Sequence, residues 1–574
     1  MPLHTKIKSM KRIIECVPNI SEGRDPEKIK RITDVVETVD GVMLLNVDPG
    51  AATNRTVITF AGEPEKVIDA AFLLVKKAME EIDMSTHSGE HPRFGATDVC
   101  PLVPVSGVSM EETVAYAREL GERIGNILGI PTYLYENAAL SDERKNLAVV
   151  RSGEYEGLKQ KLSDPNWKPD FGSSEYSDAV SKSGATAVSA RDFLVAYNIN
   201  LNTTSTRRAN AIAFDIRERG RVKREGNILT GKILKDENGE PISQPGLLKA
   251  VKGIGWFIEE YGVAQISYNL TNISITSIHE AFDKTCERAL ARGIRVTGSE
   301  LIGLVPKNAL LDAGRFFLQK QNRSLGIHEE EIMKIAVKSL GLDELAPFNI
   351  RERVIEYVLE DRLSSQSKLV SMTLTDFANE TASESPAPGG GSISAYVGAL
   401  GVSLGTMVAN LSSHKRGWDD KWEYYSQWAE KGQASKDRLM QLVDEDTNAF
   451  NEIMNAFGLP KSTDEEKQRR KDAIAEATKG AILTPLNVMR ESLASMEIMK
   501  EMANSGLSAS ISDAGVGAMC ARTAVRGAFL NVKINAAGLE DDSFNAEVFA
   551  EANNIMDKAL QLEEEIMAVV ESKL

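Results

Sequence analysis

The sequence predicts two fold classes in one chain, an α/β N-terminal half and an all-α C-terminal half. Strand-like and helix-like patterns alternate through the first third of the 574 residues, and a similar order recurs downstream. After about residue 373 the strand signals stop, and Ala-, Glu- and Met-rich segments with helical periodicity continue instead. At ~100–200 residues per domain, the length allows three or four domains.

The N-terminal elements start with a strand at 12–21, after which Asp25-Pro26-Glu27 predicts the start of a helix. The elements expected next are strands at 42–50 and 55–62, a helix at 64–82, a strand at 99–105, a helix at 110–128 capped by Ser109 and Glu112, and a closing segment at 131–139. Residues 140–190 are polar and rich in Gly and Ser, which is typical of a functional loop or a linker.

The second set of elements follows the same order as the first. It comprises a strand at 193–201, a helix at 205–220, strands at 253–270 and 272–278, a helix at 279–292 and a last strand at 295–305. Each set can be arranged around a β-α-β-β-α-β unit, so we expect two ferredoxin-like α+β subdomains.

The predicted boundaries follow from these patterns and from a Ser-rich polar tract before the helical half. They are an N-terminal tail at 1–11, in which Met10 is an alternative start to Met1, α+β subdomains at 12–190 and 191–345, a linker at 346–372 and a helical domain at 373–574.

Composition narrows the class of protein and its location. Apolar residues make up 42% and charged residues 26%, as in soluble globular proteins. The net charge of −16 argues against nucleic-acid binding but allows a local basic pocket for an anionic substrate. Four scattered cysteines fit a reducing compartment. There is no apolar run of ~18 residues and no secretory signal, so we expect a cytoplasmic protein without a membrane partner.

Two of the six histidines, His87 and His91, lie four residues apart in one short stretch. This spacing would suit zinc on a helix, but Gly89 and Pro92 disfavour a helix here, so we expect no metal site. A loop histidine next to Arg93 is well placed for acid–base chemistry, whereas the histidine taken alone is also typical of an ordinary surface or core residue.

Asp48 ends an apolar strand and begins a polar cluster that includes Asn54 and Arg55. A carboxylate at this point could fix the tautomer of a neighbouring histidine and raise the basicity of its other ring nitrogen. The local pattern taken alone favours a turn-forming aspartate.

Three glycines, Gly389, Gly390 and Gly391, precede Ser392 and a helix pattern of small residues. A Gly-rich turn into a helix N-terminus exposes backbone N–H groups to an anion or a polar ring. The motif lacks the Lys-Ser/Thr of a phosphate loop, so it gives poor support to a nucleotide site. Close helix packing is the alternative, although it explains three glycines in a row less well.

The most informative local feature is Asp446. The helical pattern around it has an apolar stripe formed by Leu439, Leu442, Val443, Ala449, Phe450, Ile453 and Phe457. Asp446 lies on this stripe, whereas Asp444 lies off it. A buried carboxylate is costly unless it is paired or protonated, so Asp446 is either a structural hydrogen-bonding residue or a group with a raised pKa suited to acid–base catalysis.

Together these segments resemble the formimidoyltransferase-cyclodeaminase family of folate enzymes. The N-terminal motifs are ECVPNISEG (15–23), DPGAATNRTVITFAG (48–62), DMSTHSGEHPRFGATDVCPLVPV (83–105), AYNINL (196–201) and GSELIGLVP (298–306). The C-terminal motifs are SPAPGGGS (385–392), LVDEDTNAF (442–450) and GLPKSTDEE (458–466). The resemblance covers nearly the whole chain from about residue 12, in the family's domain order.

The resemblance implies two reactions of histidine breakdown. The first transfers the formimino group of N-formimino-L-glutamate to N5 of tetrahydrofolate, and the second closes the ring to 5,10-methenyltetrahydrofolate with release of ammonia. It matches His91 to the transferase acid/base, Asp48 to its carboxylate partner, Arg93 to a nearby cation and Asp446 to the cyclodeaminase aspartate. It further implies substrate or folate contacts at Gly172, Gly184, Asn54, Arg55, Gly389, Gly390 and Gly391.

The partners implied are formiminoglutamate and tetrahydrofolate, the latter polyglutamylated, with no metal cofactor and no nucleic acid. The resemblance also implies a ring-shaped homo-oligomer such as an octamer. Two alternatives stay open: only one half is active, with another formimino or formyl donor, or the chain is a non-catalytic folate-binding scaffold. Whether Asp446 acts as a protonated acid or as an ionised base is also open.

Overall fold

The computed structural model describes residues 12–50, 54–88, 93–226, 231–363 and 369–574, with only the backbone described at 362 and 363. The chain divides into two compact units. The mixed unit comprises the residues up to 313 together with 340–365, and the helical unit comprises 314–339 and 366–574. The domain boundaries drawn from the sequence stay predictions.

The N-terminal part of the mixed unit contains the predicted β-α-β-β-α-β order. Its elements are β1 (Ile13–Cys16), β2 (Asn19–Ile20), α1 (Pro26–Thr33), β3 (Val42–Gly50), β4 (Arg55–Gly62), α2 (Pro64–Glu81), β5 (Thr97–Ser106), α3 (Met110–Leu128) and β6 (Thr132–Glu136). The strands lie in the order β3, β4, β1 with β2, and β5, all antiparallel to their neighbours. Asp25 caps α1, and Ser109 and Glu112 form the predicted capping box of α3.

The prediction of a loop or linker at 140–190 is wrong in part. The segment contains α4 (Leu147–Val150), α5 (Leu158–Ser163), α6 (Asp178–Ser183) and β7 (Thr186–Ala190). β7 pairs in parallel with both β5 and β6 and is buried throughout, so it lies inside the sheet. The strand TAVSA is short and consists mostly of small residues, which gives it little of the signal of a buried strand.

The C-terminal part of the mixed unit repeats the first. Its elements are β8 (Val195–Leu201), α7 (Thr206–Ile216), β9 (Arg221–Val222), β10 (Ser243–Gln244), β11 (Val251–Ile258), β12 (Val263–Leu270), α8 (Ile278–Leu290) and β13 (Val296–Ile302). The four long strands form an antiparallel sheet in the order β11, β12, β8, β13. The segment 253–270, which the sequence predicts as strand, therefore contains a turn and forms most of the β11–β12 hairpin.

The prediction of a further strand at 272–278 is wrong. The Asn272 side chain accepts hydrogen bonds from the backbone N–H groups of Ser274 and Ile275 at 2.9 and 3.3 Å. Such an Asx turn competes with strand pairing, and it leads the chain directly into α8.

The remaining described elements are helical, and the expectation of an all-helical C-terminal half is confirmed. They are α9 (Lys307–Lys320), α10 (Glu329–Leu340), α11 (Ile350–Arg353), α12 (Ile355–Leu363), α13 (Leu374–Thr381), α14 (Gly390–Ser413), α15 (Trp422–Phe457), α16 (Asp464–Ser505), α17 (Ile511–Ala536) and α18 (Asp542–Lys573). Helices α14 and α17 approach closely, since a Cβ on Gly401 would lie 2.8 Å from the carbonyl oxygen of Gly517.

Helix α14 is the one described helix that is long and apolar enough to cross a membrane by length and composition. Within its most apolar window, 61% is buried inside the protein, as in the core helix of a soluble protein. In α15 the predicted apolar stripe is buried at Leu439, Leu442 and Val443. The same stripe is exposed further along, at Phe450 and Phe457, so only its first part faces the core.

Candidate functional site

Asp446 of α15 lies against the N-terminus of α14, to which it is joined through Ser392. The Ser392 hydroxyl lies 3.0 Å from Asp446 Oδ2 and donates to it, and the backbone N–H of Ser392 bonds to the same carboxylate. Ser392 is fully buried, which fixes the position of its hydroxyl. The structure therefore brings together the Gly-rich turn and the aspartate, two motifs that the sequence analysis singled out separately.

The three glycines have different surroundings. A Cβ on Gly391 would lie 2.1 Å from Asp446 Oδ1, so the carboxylate occupies the space that a side chain would need. A Cβ on Gly390 would lie 3.2 Å from the amide nitrogen of Asn531. Gly389 is the N-cap of α14, and the nearest atom to its Cβ position is the carbonyl oxygen of Pro386 at 3.8 Å. Close packing thus explains Gly391 fully but leaves the side-chain position of Gly389 open.

The surroundings of Asp446 favour proton exchange. Burial raises the pKa of its carboxyl, and the hydrogen bonds from Ser392 oppose this rise. The N-terminal dipole of a helix also favours the ionised form. Burial outweighs the hydrogen bonds, so the pKa of Asp446 lies above that of a free aspartate and the group exchanges its proton closer to neutral pH.

The predicted transferase residues come from the β3–β4 hairpin and from the segment before β5. Asp48 is exposed on β3, where it is paired with Val57 of β4. His91 lies outside the described residues, so its partnership with Asp48 stays a prediction.

Asn54 connects the segments around this site. Its side chain accepts a hydrogen bond from the backbone N–H of Gly23 at 3.0 Å and donates one to the carbonyl oxygen of Ser88 at 3.0 Å. Its own carbonyl oxygen lies 3.1 Å from His87 Nε2. Asn54 also has a left-handed φ of 48°, which asparagine tolerates better than most residues. These contacts position the backbone that leads towards His91.

Arg93 and His87 fix each other's orientation. Arg93 Nε donates to His87 Nδ1 at 3.2 Å, so the ring proton resides on Nε2, which donates to Asn54. Burial and the positive charge of Arg93 lower the pKa of His87, so its ring is neutral near pH 7. The Arg93 guanidinium also binds the exposed Glu156, with Nη1 3.1 Å from Oε2.

A second arginine cluster, not identified from the sequence, surrounds Asp98 at the start of β5. Arg55 and Arg151 both donate to Oδ2 of Asp98, the latter at 2.7 Å. Asp98 is completely buried, and its other oxygen, Oδ1, has no hydrogen-bond partner among the residues that the structure describes. Arg55 Nε also donates to Asn19 Oδ1 at 3.1 Å. The sequence signal for this cluster was a single aspartate, Asp98, in an apolar strand downstream of Arg55.

Gly172 and Gly184 are required by the fold itself. Both have positive φ angles, 84° and 65°. A Cβ on Gly172 would lie 2.2 Å from the carbonyl oxygen of Ile130, and one on Gly184 would lie 2.4 Å from the Cα of Gly95. Their predicted folate contacts stay predictions, because backbone packing already explains both glycines.

The fold and these clusters define the class of protein as a two-part chain, with a histidine–arginine cluster in the mixed unit and a carboxyl of raised pKa in the helical unit. No group of three His, Cys, Asp or Glu side chains suited to a metal ion occurs within the described ranges. Three families described as "Formiminotransferase domain, N-terminal subdomain", "Formiminotransferase domain" and "Formiminotransferase-cyclodeaminase" match residues 13–191, 196–360 and 373–554.

Similarity to individual proteins extends over each half and over the whole chain. The chain is 40% identical to formimidoyltransferase-cyclodeaminase of Gallus gallus, over 98% of this chain and 100% of the relative. It is 42% identical to glutamate formimidoyltransferase of Thermoplasma acidophilum over 54% of this chain and 92% of the relative. It is 38% identical to methenyltetrahydrofolate cyclohydrolase of Methylorubrum extorquens over 35% of this chain and 97% of the relative. The chain belongs to the formimidoyltransferase-cyclodeaminase family.

Proposed function

We propose that this chain catalyses two consecutive one-carbon reactions of histidine degradation. The mixed unit transfers the formimino group of N-formimino-L-glutamate to N5 of tetrahydrofolate. The helical unit then cyclises 5-formiminotetrahydrofolate to 5,10-methenyltetrahydrofolate and releases ammonia. The observation that carries the proposal is the Asp446 carboxyl held at the Gly-rich N-terminus of α14. Similarity to bifunctional relatives along the whole chain supports it.

In the transfer step N5 attacks the amidine carbon and loses a proton, while the departing glutamate nitrogen gains one. His91, neutral at rest, performs both proton movements, and Asp48 orients its ring. Arg93 exchanges its exposed partner Glu156 for a substrate carboxylate. The neutral ring of His87 keeps Arg93 in place, which supports this role.

In the cyclisation step N10 attacks the same carbon, and the amino group leaves as ammonia. Asp446 moves the proton in this step, as an acid to the leaving nitrogen or as a base from N10. The start of α14, where the backbone N–H of Ser392 bonds to this carboxyl and Gly389 leaves its side-chain position open, accommodates the polar pterin ring.

The chain works as a homo-oligomer, which we place in the cytoplasm. Helix α14 exposes Leu400, Met407 and Leu411, at 48%, 38% and 45%, along one stripe, and the neighbouring α17 exposes Val516 and Met519. Apolar side chains exposed together in this way are typical of an interface between subunits. A ring-shaped octamer, built from pairs of like units, is the assembly that we propose.

A coupled assay tests the proposal. Purified protein receives formiminoglutamate and tetrahydrofolate, and methenyltetrahydrofolate absorbance and ammonia are followed together. We expect both signals to rise at matching rates. Transfer without either signal would show an inactive helical unit, and unchanged formiminoglutamate would contradict the proposed donor.

A further inference from the structure

The Asp98 cluster connects the two segments that hold Arg93 and His87. Arg55 directly follows Asn54, whose carbonyl oxygen and side chain bind His87 and Ser88. Arg151 begins the turn whose Tyr155 N–H donates to the carbonyl oxygen of Arg93 at 2.9 Å. We name the segment 87–93 the transferase loop. Both guanidiniums extend from backbone that is hydrogen-bonded to its first or last residues, and Asp98 holds them together.

A second two-arginine cluster in the same unit provides a comparison. Asp215 of α7 binds Arg221 through Oδ1 and Arg292 through Oδ2, so each of its oxygens has one arginine. Asp98 instead binds both arginines through Oδ2, while its buried Oδ1 has no partner in the described part of the chain. Both carboxylate oxygens of Asp215 accept a hydrogen bond. The Asp98 arrangement leaves a buried acceptor unpaired, a cost that stability alone does not explain.

Arg55 has a donor left for a ligand. Its Nε and Nη1 are used by Asn19 and Asp98, and its Nη2 has no hydrogen-bond partner among the described residues. Nη2 is not fully buried, so it can reach solvent. A guanidinium fixed at two nitrogens with the third one available is preorganised for a carboxylate.

We propose that Arg55 and Arg151, held by Asp98 as a positioning residue, form a clamp for a carboxylate of one of the transfer substrates. The clamp rests on the proposed transferase function and adds to it two residues, Asp98 and Arg151, that orient the substrate. Formiminoglutamate and the glutamate portion of folate both carry carboxylates, and separate titrations of the two substrates distinguish these sources.

Asp98→Asn tests the clamp in the full-length chain, with Asp215→Asn as the matched control. We expect Asp98→Asn to raise KM for one of the two substrates on the order of tenfold or more, with kcat changed less than about threefold. Arg55→Lys keeps the charge but loses the planar guanidinium that binds a carboxylate through two N–H groups, so it raises the same KM. Inhibition by L-glutamate, the transfer product, weakens in parallel if the clamp holds the donor. Asp215→Asn leaves both KM values unchanged.

The outcomes separate the clamp from a structural role and from the proposed function. Unchanged KM values in Asp98→Asn, or the same change in Asp215→Asn, overturn the clamp. The thermal unfolding transition of the full-length chain, compared with the wild type, reports whether each variant folds, and Arg55→Lys replaces Asp98→Asn if that variant does not. A wild-type chain that consumes no formiminoglutamate overturns the transferase function itself, and the clamp with it.

Discussion

The two sites of this chain are built in opposite ways. The Asp446 site rests on two long helices, where a buried serine and a glycine fix the carboxylate from two sides. The proposed transferase site draws on a hairpin and loops, whose described residues are held together by Asn54, His87, Arg93 and Asp98. Helices position a group through regular backbone geometry, whereas loops need dedicated hydrogen bonds to reach the same precision.

This contrast predicts where each proposed site is sensitive to substitution. In the helical unit Gly391 and Ser392 lie against the Asp446 carboxyl, so substitutions there act directly on its location or its pKa. In the mixed unit Asn54 binds the backbone of Gly23 and Ser88, so substitutions there act through the backbone.

The largest expected effect separates the two sites completely. His91→Ala lowers the rate of formimino transfer by about 10²–10⁴-fold. It leaves cyclisation of supplied 5-formiminotetrahydrofolate intact, because the two steps use different proton carriers. Asp446→Ala has the reverse effect. Each activity is measured separately with its own substrate. If both variants keep both activities, the assignments of His91 and Asp446 are wrong.

Gly391→Ala tests how tightly the helical site is packed. The new methyl group would stand 2.1 Å from Asp446 Oδ1, so either the carboxylate or the helix must move. We expect a loss of cyclisation of about a hundredfold with transfer unchanged, and a free energy of unfolding lower by ~1–3 kcal/mol. Gly480→Ala in α16 is the control, since its Cβ position has no atom within 4 Å. That variant should keep both activities and gain up to ~1 kcal/mol.

Asn54→Ala tests the hydrogen bonds that hold the transferase loop. The substitution leaves the N–H of Gly23 and the carbonyl oxygen of Ser88 without their partner, which costs ~1–3 kcal/mol. We expect transfer to fall about tenfold while cyclisation is unchanged. Asn54→Gly, which accepts the positive φ more easily, separates the lost side chain from backbone strain. Equal loss of both activities in Asn54→Ala would point to general unfolding.

Ser392→Ala has the smallest expected effect and acts on the pH profile. The hydroxyl stabilises the ionised form of Asp446, so its removal raises the pKa of that carboxyl further. If Asp446 acts as a base, the acidic limb of the cyclisation profile moves to higher pH, and if it acts as an acid, the basic limb does. Ser394→Ala is the matched control, because the Ser394 hydroxyl donates to the carbonyl oxygen of Gly390 in its own helix rather than to Asp446. A cyclisation rate that falls at every pH, with no shift of the pH profile, would contradict the role of Ser392.

Much of this architecture follows from local sequence. The spacing of apolar residues predicts α15 and places Asp446 on its inner face, and the capping box predicts the start of α3 at Met110. The same reasoning misses β7, whose small residues give little period-two signal although it lies between two parallel strands. It also assigns Phe450 to the core, because periodicity continues past the point where the neighbouring helices leave α15 exposed.

Local sequence patterns predict most of the elements, the change from α/β to all-α and the unusual position of the Asp446 carboxyl. Short-range patterns carry this information, since helices and strands repeat over a few residues. The contact of Ser392 with Asp446 across 54 residues, and the sharing of Asp98 by Arg55 and Arg151, arise from the packing of the folded chain. These contacts join segments distant in sequence, and their partners depend on packing that no local pattern encodes.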